Sequence, residues 1–140
     1  MDIEKLLKAL DNENNSKIMN LSTKKMNAMK LEILSELNFS KDELYSYLSK
    51  LKNYRYIDEI NDLDIGRFIR WINISEPSNI YLNNGATICD IKINDDGIFI
   101  LVKTFSNKHF QIKMDECLIF QKLTIQEEVI LTALNHLEKH

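Results

Sequence analysis

Glycine, cysteine, histidine and arginine are all scarce in this chain, and each shortage closes off a class of chemistry. Three glycines in 140 residues leave no glycine-rich loop to cradle phosphates, and Gly66 alone does not make one. The two cysteines, Cys89 and Cys117, have no metal-ligand spacing, and each lies in an apolar, strand-like stretch. Buried free thiols in a reducing compartment are therefore expected, neither bridged nor holding a metal, since the further ligands of a tetrahedral site are missing nearby. The three histidines, His109, His136 and His140, are paired in sequence with neither a nucleophile nor a ligand set. No catalytic or metal residue is assigned, no cofactor is expected, and the chain reads as a non-enzyme. No apolar run reaches the roughly 18–20 residues that cross a bilayer. The start, Met1-Asp2-Ile3-Glu4-Lys5, lacks the basic stretch and apolar block of a secretory signal, so neither membrane association nor secretion is expected.

What is present is enough for an ordinary core. With 44% apolar and 28% charged residues, 140 residues fit one domain, 1–140. A net charge of −3 argues against a surface built as a whole to hold nucleic acid. Isoleucine, asparagine and lysine number 19, 15 and 15, a bias toward A/T-rich codons that takes functional weight from any single lysine. Arginine is the exception: Arg55, Arg67 and Arg70 are the only three. Keeping guanidinium there points to a planar, bidentate or stacked partner that an ammonium cannot replace.

The first part, 1–53, has helical periodicity. Ile3, Leu6, Leu7 and Leu10 predict a helix over about 3–10, closed by the polar loop from Asp11 to Ser16. A second helix is expected over 22–37, with Met26, Met29, Ile33 and Leu37 as its apolar line. A third, over 41–52, carries a capping box in Ser40 and Glu43, with Phe39 placed to staple against Leu44. A last helix over 125–138 opens on a second box, Thr124 and Glu127, and presents Ile130, Ala133, Leu134 and Leu137.

Between them, over 54–123, the period falls toward two. Tyr54–Ile57 reads as a short strand, and Phe68–Ile72 as another with 67, 69 and 71 on one face and 68, 70 and 72 on the other. Ile80–Leu82 reads as a brief strand before a tight turn at Asn83-Asn84-Gly85. Cys89, Ile91 and Ile93 then alternate with polar residues up to a turn at Asn94-Asp95-Asp96-Gly97. Ile98–Phe105, Phe110–Met114 and Cys117–Phe120 complete the series, with a turn at Ser106-Asn107-Lys108. The expected fold is α+β: N-terminal helices packed with an antiparallel β-meander, curled into a small SH3-like barrel, and a C-terminal helix.

The constellation that stands out for binding is Arg55, Tyr56, Arg67, Arg70 and Trp71, with Tyr54 beside them. Guanidinium groups among aromatic faces suit stacking, cation–π contacts or an interface hot spot, while Trp71 equally suits a core position. Alternation predicts Arg70 as the more buried arginine, paired with a carboxylate such as Asp90, and Arg67 as exposed and open to a partner. The acidic run Asp58-Glu59 with Asp62 and Asp64 reads first as a solvated loop and second as a dock for a basic partner. Asp95-Asp96-Gly97 fits a hairpin turn better than a cation site.

The runs Tyr54-Arg55-Tyr56-Ile57-Asp58-Glu59-Ile60, Gly66-Arg67-Phe68-Ile69-Arg70-Trp71-Ile72 and Leu82-Asn83-Asn84-Gly85 resemble small uncharacterised proteins of giant nucleocytoplasmic DNA viruses. Phe110-Gln111-Ile112-Lys113-Met114 and Ile119-Phe120-Gln121-Lys122-Leu123 are similar to them as well. That resemblance implies a viral protein in the host cytoplasm or the virion, and it brings no activity with it. The expected function is a protein–protein interaction or scaffolding module, with another viral protein as its partner. The alternative is a nucleic-acid-associated factor, since Met29 to Ile60 has the outline of a winged helix-turn-helix. The third helix offers only Lys41, Lys50 and Lys52 to phosphates, which is thin coverage for that role. The oligomeric state is left unassigned.

Overall fold

The structure, a computed structural model, describes residues 22–138; the helix expected over 3–10 lies outside them. By its contacts the chain divides into two compact units, Met1–Lys50 with Leu123–His140, and Leu51–Lys122. The observed class is α+β, with helices on either side of an antiparallel sheet in the chain order.

The helical unit contains α1 (Thr23–Ser35), α2 (Lys41–Lys50) and α3 (Ile125–Glu138). Each start is fixed by a side chain that satisfies a backbone group the helix leaves open. Ser22 Oγ accepts from Lys25 N at 3.1 Å. Ser40 and Glu43 form the expected reciprocal box, as do Thr124 and Glu127. Asn38, at φ 57°, adopts the left-handed conformation that asparagine tolerates and separates α1 from α2. Phe39 lies edge-on to Tyr47 at 4.9 Å between ring centroids. The buried line of α1 is Met26, Lys30 and Leu34, one position round from the expected one, with Met29, Ile33 and Leu37 half-buried beside it. Spacing alone did not favour this choice, because it takes the whole side chain of a lysine, Lys30, 2% exposed, into the buried line. Met26, Leu123, Ile130 and Leu131 form the core of this unit, and Asn135 Nδ2 donates to Thr23 Oγ1 at 2.6 Å, tying α3 to α1. Leu137, expected in the α3 stripe, is exposed instead.

The second unit is one six-stranded antiparallel sheet: β1 (Tyr54–Ile57), β2 (Phe68–Asn73), β3 (Ala86–Asn94), β4 (Gly97–Lys103), β5 (His109–Lys113) and β6 (Cys117–Lys122). Its order is β1-β6-β2-β3-β4-β5. The consecutive run from β2 to β5 is the expected meander. β6 breaks the succession by returning, through a 3-10 turn at Met114–Glu116, to pair with both β1 and β2. The sheet is open, so the expected SH3-like barrel does not form: β1 and β5 remain its two edges, and no backbone pairing joins them. One face carries the core, from Ile57 through Ile69, Trp71, Ile88, Ile100 and Ile112 to Ile119. On β2 and β6 the opposite face is buried too, at Ile72, Leu118 and Phe120.

The two later turns follow the local chemistry. Asn94 pairs with Gly97 across a two-residue turn, Asn94 Oδ1 accepts from Asp96 N, and Gly97 has φ 132°. Asn107 takes φ 62° in the loop between β4 and β5. Asn83-Asn84-Gly85 is not the tight hairpin turn expected. Leu82 bridges to Ile72, Asn83 N donates to Trp71 O, and Ala86 pairs with Ile69, so this segment runs alongside β2. Gly85 is needed there for a different reason. It has φ 107°, and a Cβ would fall 2.6 Å from the Phe68 ring and 2.8 Å from Ile69 O. A bulge between Ile88 and Asp90 shifts the register of β3, which turns Cys89 to solvent. The buried thiol expected at Cys89 is therefore exposed, while Cys117 is buried; both are free.

Candidate functional site

The sequence-nominated cluster does not assemble into one patch. Strand alternation places Arg55, Arg67 and Trp71 on the core face and Tyr56 and Arg70 on the other. Trp71 is 8% exposed and part of the core. Arg55 is the most deeply placed arginine, 7% exposed, and its Nη2 pairs with Asp62 Oδ2 at 3.3 Å. Its Nε is buried without a hydrogen-bond partner. Arg67 is not open to solvent as expected: Nη1 lies 3.4 Å from Asp64 Oδ2, and Nη2 donates to Lys122 O at 2.6 Å. Arg70, expected to pair with a carboxylate, donates through Nε to Asn83 O at 2.8 Å, and Asp90 accepts from Ile91 N. Tyr56 is half-buried, its ring 5.7 Å from that of Phe120.

One cause explains the exchange of roles. The segment after β1 folds back over the core face, and Gln121, 1% exposed, holds it there. Asp64 N donates to Gln121 Oε1 and Gln121 Nε2 donates to Asp62 O, both at 3.1 Å. Asp62 and Asp64 are thereby delivered to the arginines that share Gln121's face, Arg55 and Arg67. The buried amide is the keystone of this arrangement, and sequence reading passed over it because glutamine in a strand carries no local signature. The pairs also tie up guanidinium groups that would otherwise serve a ligand.

Binding potential lies elsewhere in the same unit. A cavity of ≈ 490 Å³ opens where the end of β1 meets the start of β6, the 3-10 turn and the β3–β4 hairpin. Its size falls within the ~300–1,000 Å³ common for ligand pockets. Ile57, Cys117 and Leu118 are its buried lining, and Tyr56, Ile74, Ile98 and Met114 are half-buried around them. Asp58 and Asp115 line it as well, and both are exposed. Burial, followed by the charges of Glu116 and Asp115, pushes the Cys117 thiol up to about 11. The thiol is thus neutral at physiological pH and serves as an apolar surface rather than a nucleophile. Of the nominated residues only Tyr56 belongs to this cleft; Asp58 comes from the acidic run read as a solvated loop or a dock for a basic partner.

Among the described residues, no group of three or more histidine, cysteine, aspartate or glutamate side chains is placed to hold a metal. No helix among them is long and apolar enough to cross a membrane. Comparison with protein-family models, with curated proteins and with solved structures finds no match to this chain.

Proposed function

We propose that this chain is a non-enzymatic protein-interaction or scaffolding module, a viral accessory or minor virion component, and that the cleft at the end of β1 receives a segment of its partner. The observation that carries this reading is the lining of the cleft: a mostly apolar wall with two exposed carboxylates. An apolar centre inside a polar rim is the usual anatomy of a protein interface. The alternative of a nucleic-acid-associated factor needs cations that track phosphates. Arg55 and Arg67 are instead paired with Asp62 and Asp64, and Arg70 is engaged by a backbone carbonyl. The formal charges lining the cleft are negative, which repels a phosphate backbone.

The test fills the cleft. Ile74→Trp places a large ring in it while the strands are left unchanged. Tagged full-length protein and this variant are used to capture partners from cell extract treated with nuclease, with circular dichroism confirming the fold of both. A protein retained by the parent after nuclease and at moderate salt, and lost by Ile74→Trp, supports the reading. Capture that nuclease abolishes, or that Ile74→Trp leaves unchanged, refutes it.

A further inference from the structure

The cleft has a charge pattern that selects among partner side chains. Its wall is built by Ile57, Ile74, Ile98 and Leu118, and the carboxylates of Asp58 and Asp115 come from different segments, the residue that follows β1 and the 3-10 turn before β6. Neither carboxylate is engaged by an ion pair or side-chain hydrogen bond with another described residue. A nearby cation of the chain itself, Lys113, sits with its ammonium 5.9 Å from the centroid of the Phe99 ring. By strand alternation its side chain leaves from the face opposite Ile98 and Ile100, and it passes beside Gly97 at the margin of the cleft. Exposed carboxylates keep their hydration at no cost until a partner arrives, so they are available to an incoming charge.

Resting on the reading of the cleft as a docking surface, we infer that it takes a basic side chain of the partner protein, with the aliphatic stem against the isoleucines and the cationic head between Asp58 and Asp115. Lysine and arginine both combine an apolar stem with a charged tip, which is the division the cleft presents. A neutral apolar side chain would fill the wall and leave the carboxylates without a partner. An acidic one would be repelled. The selection is therefore electrostatic, while the apolar wall supplies contact area for either kind of stem.

The experiment uses full-length protein labelled at isoleucine methyl groups. It is titrated separately with N-acetyl-lysine methylamide, N-acetyl-arginine methylamide and N-acetyl-norleucine methylamide while the Ile57, Ile74 and Ile98 signals are followed. Both basic compounds are expected to shift these signals saturably, and norleucine to bind roughly tenfold more weakly, the combined effect of two rim-exposed charge pairs. The double substitution Asp58→Asn with Asp115→Asn should bring lysine down to the norleucine level without moving the norleucine affinity. Norleucine binding as tightly as lysine, or no response to any compound, overturns the inference. So does indifference of lysine binding to the double substitution. These outcomes are separate from the docking reading, which stands or falls on capture by Ile74→Trp.

Discussion

Replacing Gln121 by leucine tests whether one buried amide holds the segment after β1 against the sheet. Gln121 is 1% exposed, and both ends of its amide are used, by Asp64 N and by Asp62 O. Leucine has a similar volume, so the substitution opens no large cavity. It leaves one donor and one acceptor of the backbone without partners. An unsatisfied buried group costs about 1–3 kcal/mol. Two such groups, partly relieved by water and by the apolar gain of leucine, give about 2–4 kcal/mol. That is a large part of a typical domain's ~5–15 kcal/mol. Urea unfolding followed by the fluorescence of Trp71, the single tryptophan and a core residue of this unit, measures the loss directly. A second variant, Arg55→Met, removes the ion pair to Asp62 in the same segment. Once Gln121→Leu has freed the segment, Arg55 has less to hold, so the double variant should lose less than the sum of the singles. A loss below about 0.5 kcal/mol for Gln121→Leu, or strict additivity of the two, would refute the reasoning.

Three further predictions rest on other parts of the molecule. Gly85→Ala should cost roughly 2–4 kcal/mol in the same urea assay, because alanine is strained at φ 107° and its Cβ would meet Ile69 O, a backbone atom that cannot step aside; a loss below 1 kcal/mol on the same scale would count against it. A thiol reagent at pH 8 should modify Cys89 quickly and Cys117 only on unfolding, since one thiol is exposed and the other is buried with its titration pushed to about 11; equal rates would contradict the assigned bulge. Burial lowers Lys30 to about 8, so between there and its ordinary 10.5 the unfolded chain binds more protons than the folded one, and stability should rise with pH across that window. Lys30→Met should abolish that contribution, read as the difference between the two stability–pH curves, and parallel curves would exclude it.

Much of the local structure was legible in the residues. The boxes at Ser40 and Thr124, the turn at Asn94-Asp95-Asp96-Gly97 and the strand at Tyr54–Ile57 stand where the sequence placed them. Each depends on groups within a few residues of one another, so their chemistry is written locally. The two faces of β2 also divide as alternation requires. Alternation does not say what lies over each face, and here the expectations for the arginines failed. Carboxylates brought by the segment after β1 reached Arg55 and Arg67, while Arg70 met a carbonyl. Likewise, the bulge at Cys89 reverses the exposure that the sequence pattern implied, because the shift lies in the pairing with β4 and not in the residue itself.

The helix starts, the hairpin turn and the antiparallel character of the sheet were determined by the sequence through short-range hydrogen bonds and the two-residue period. The insertion of β6 between β1 and β2, the open edges and the cleft were decided only by tertiary structure. Pairing β6 with β1 joins residues such as Tyr54 and Lys122, far apart along the chain. The gain from such a contact depends on all the others that form with it, and no single stretch of residues contains that information.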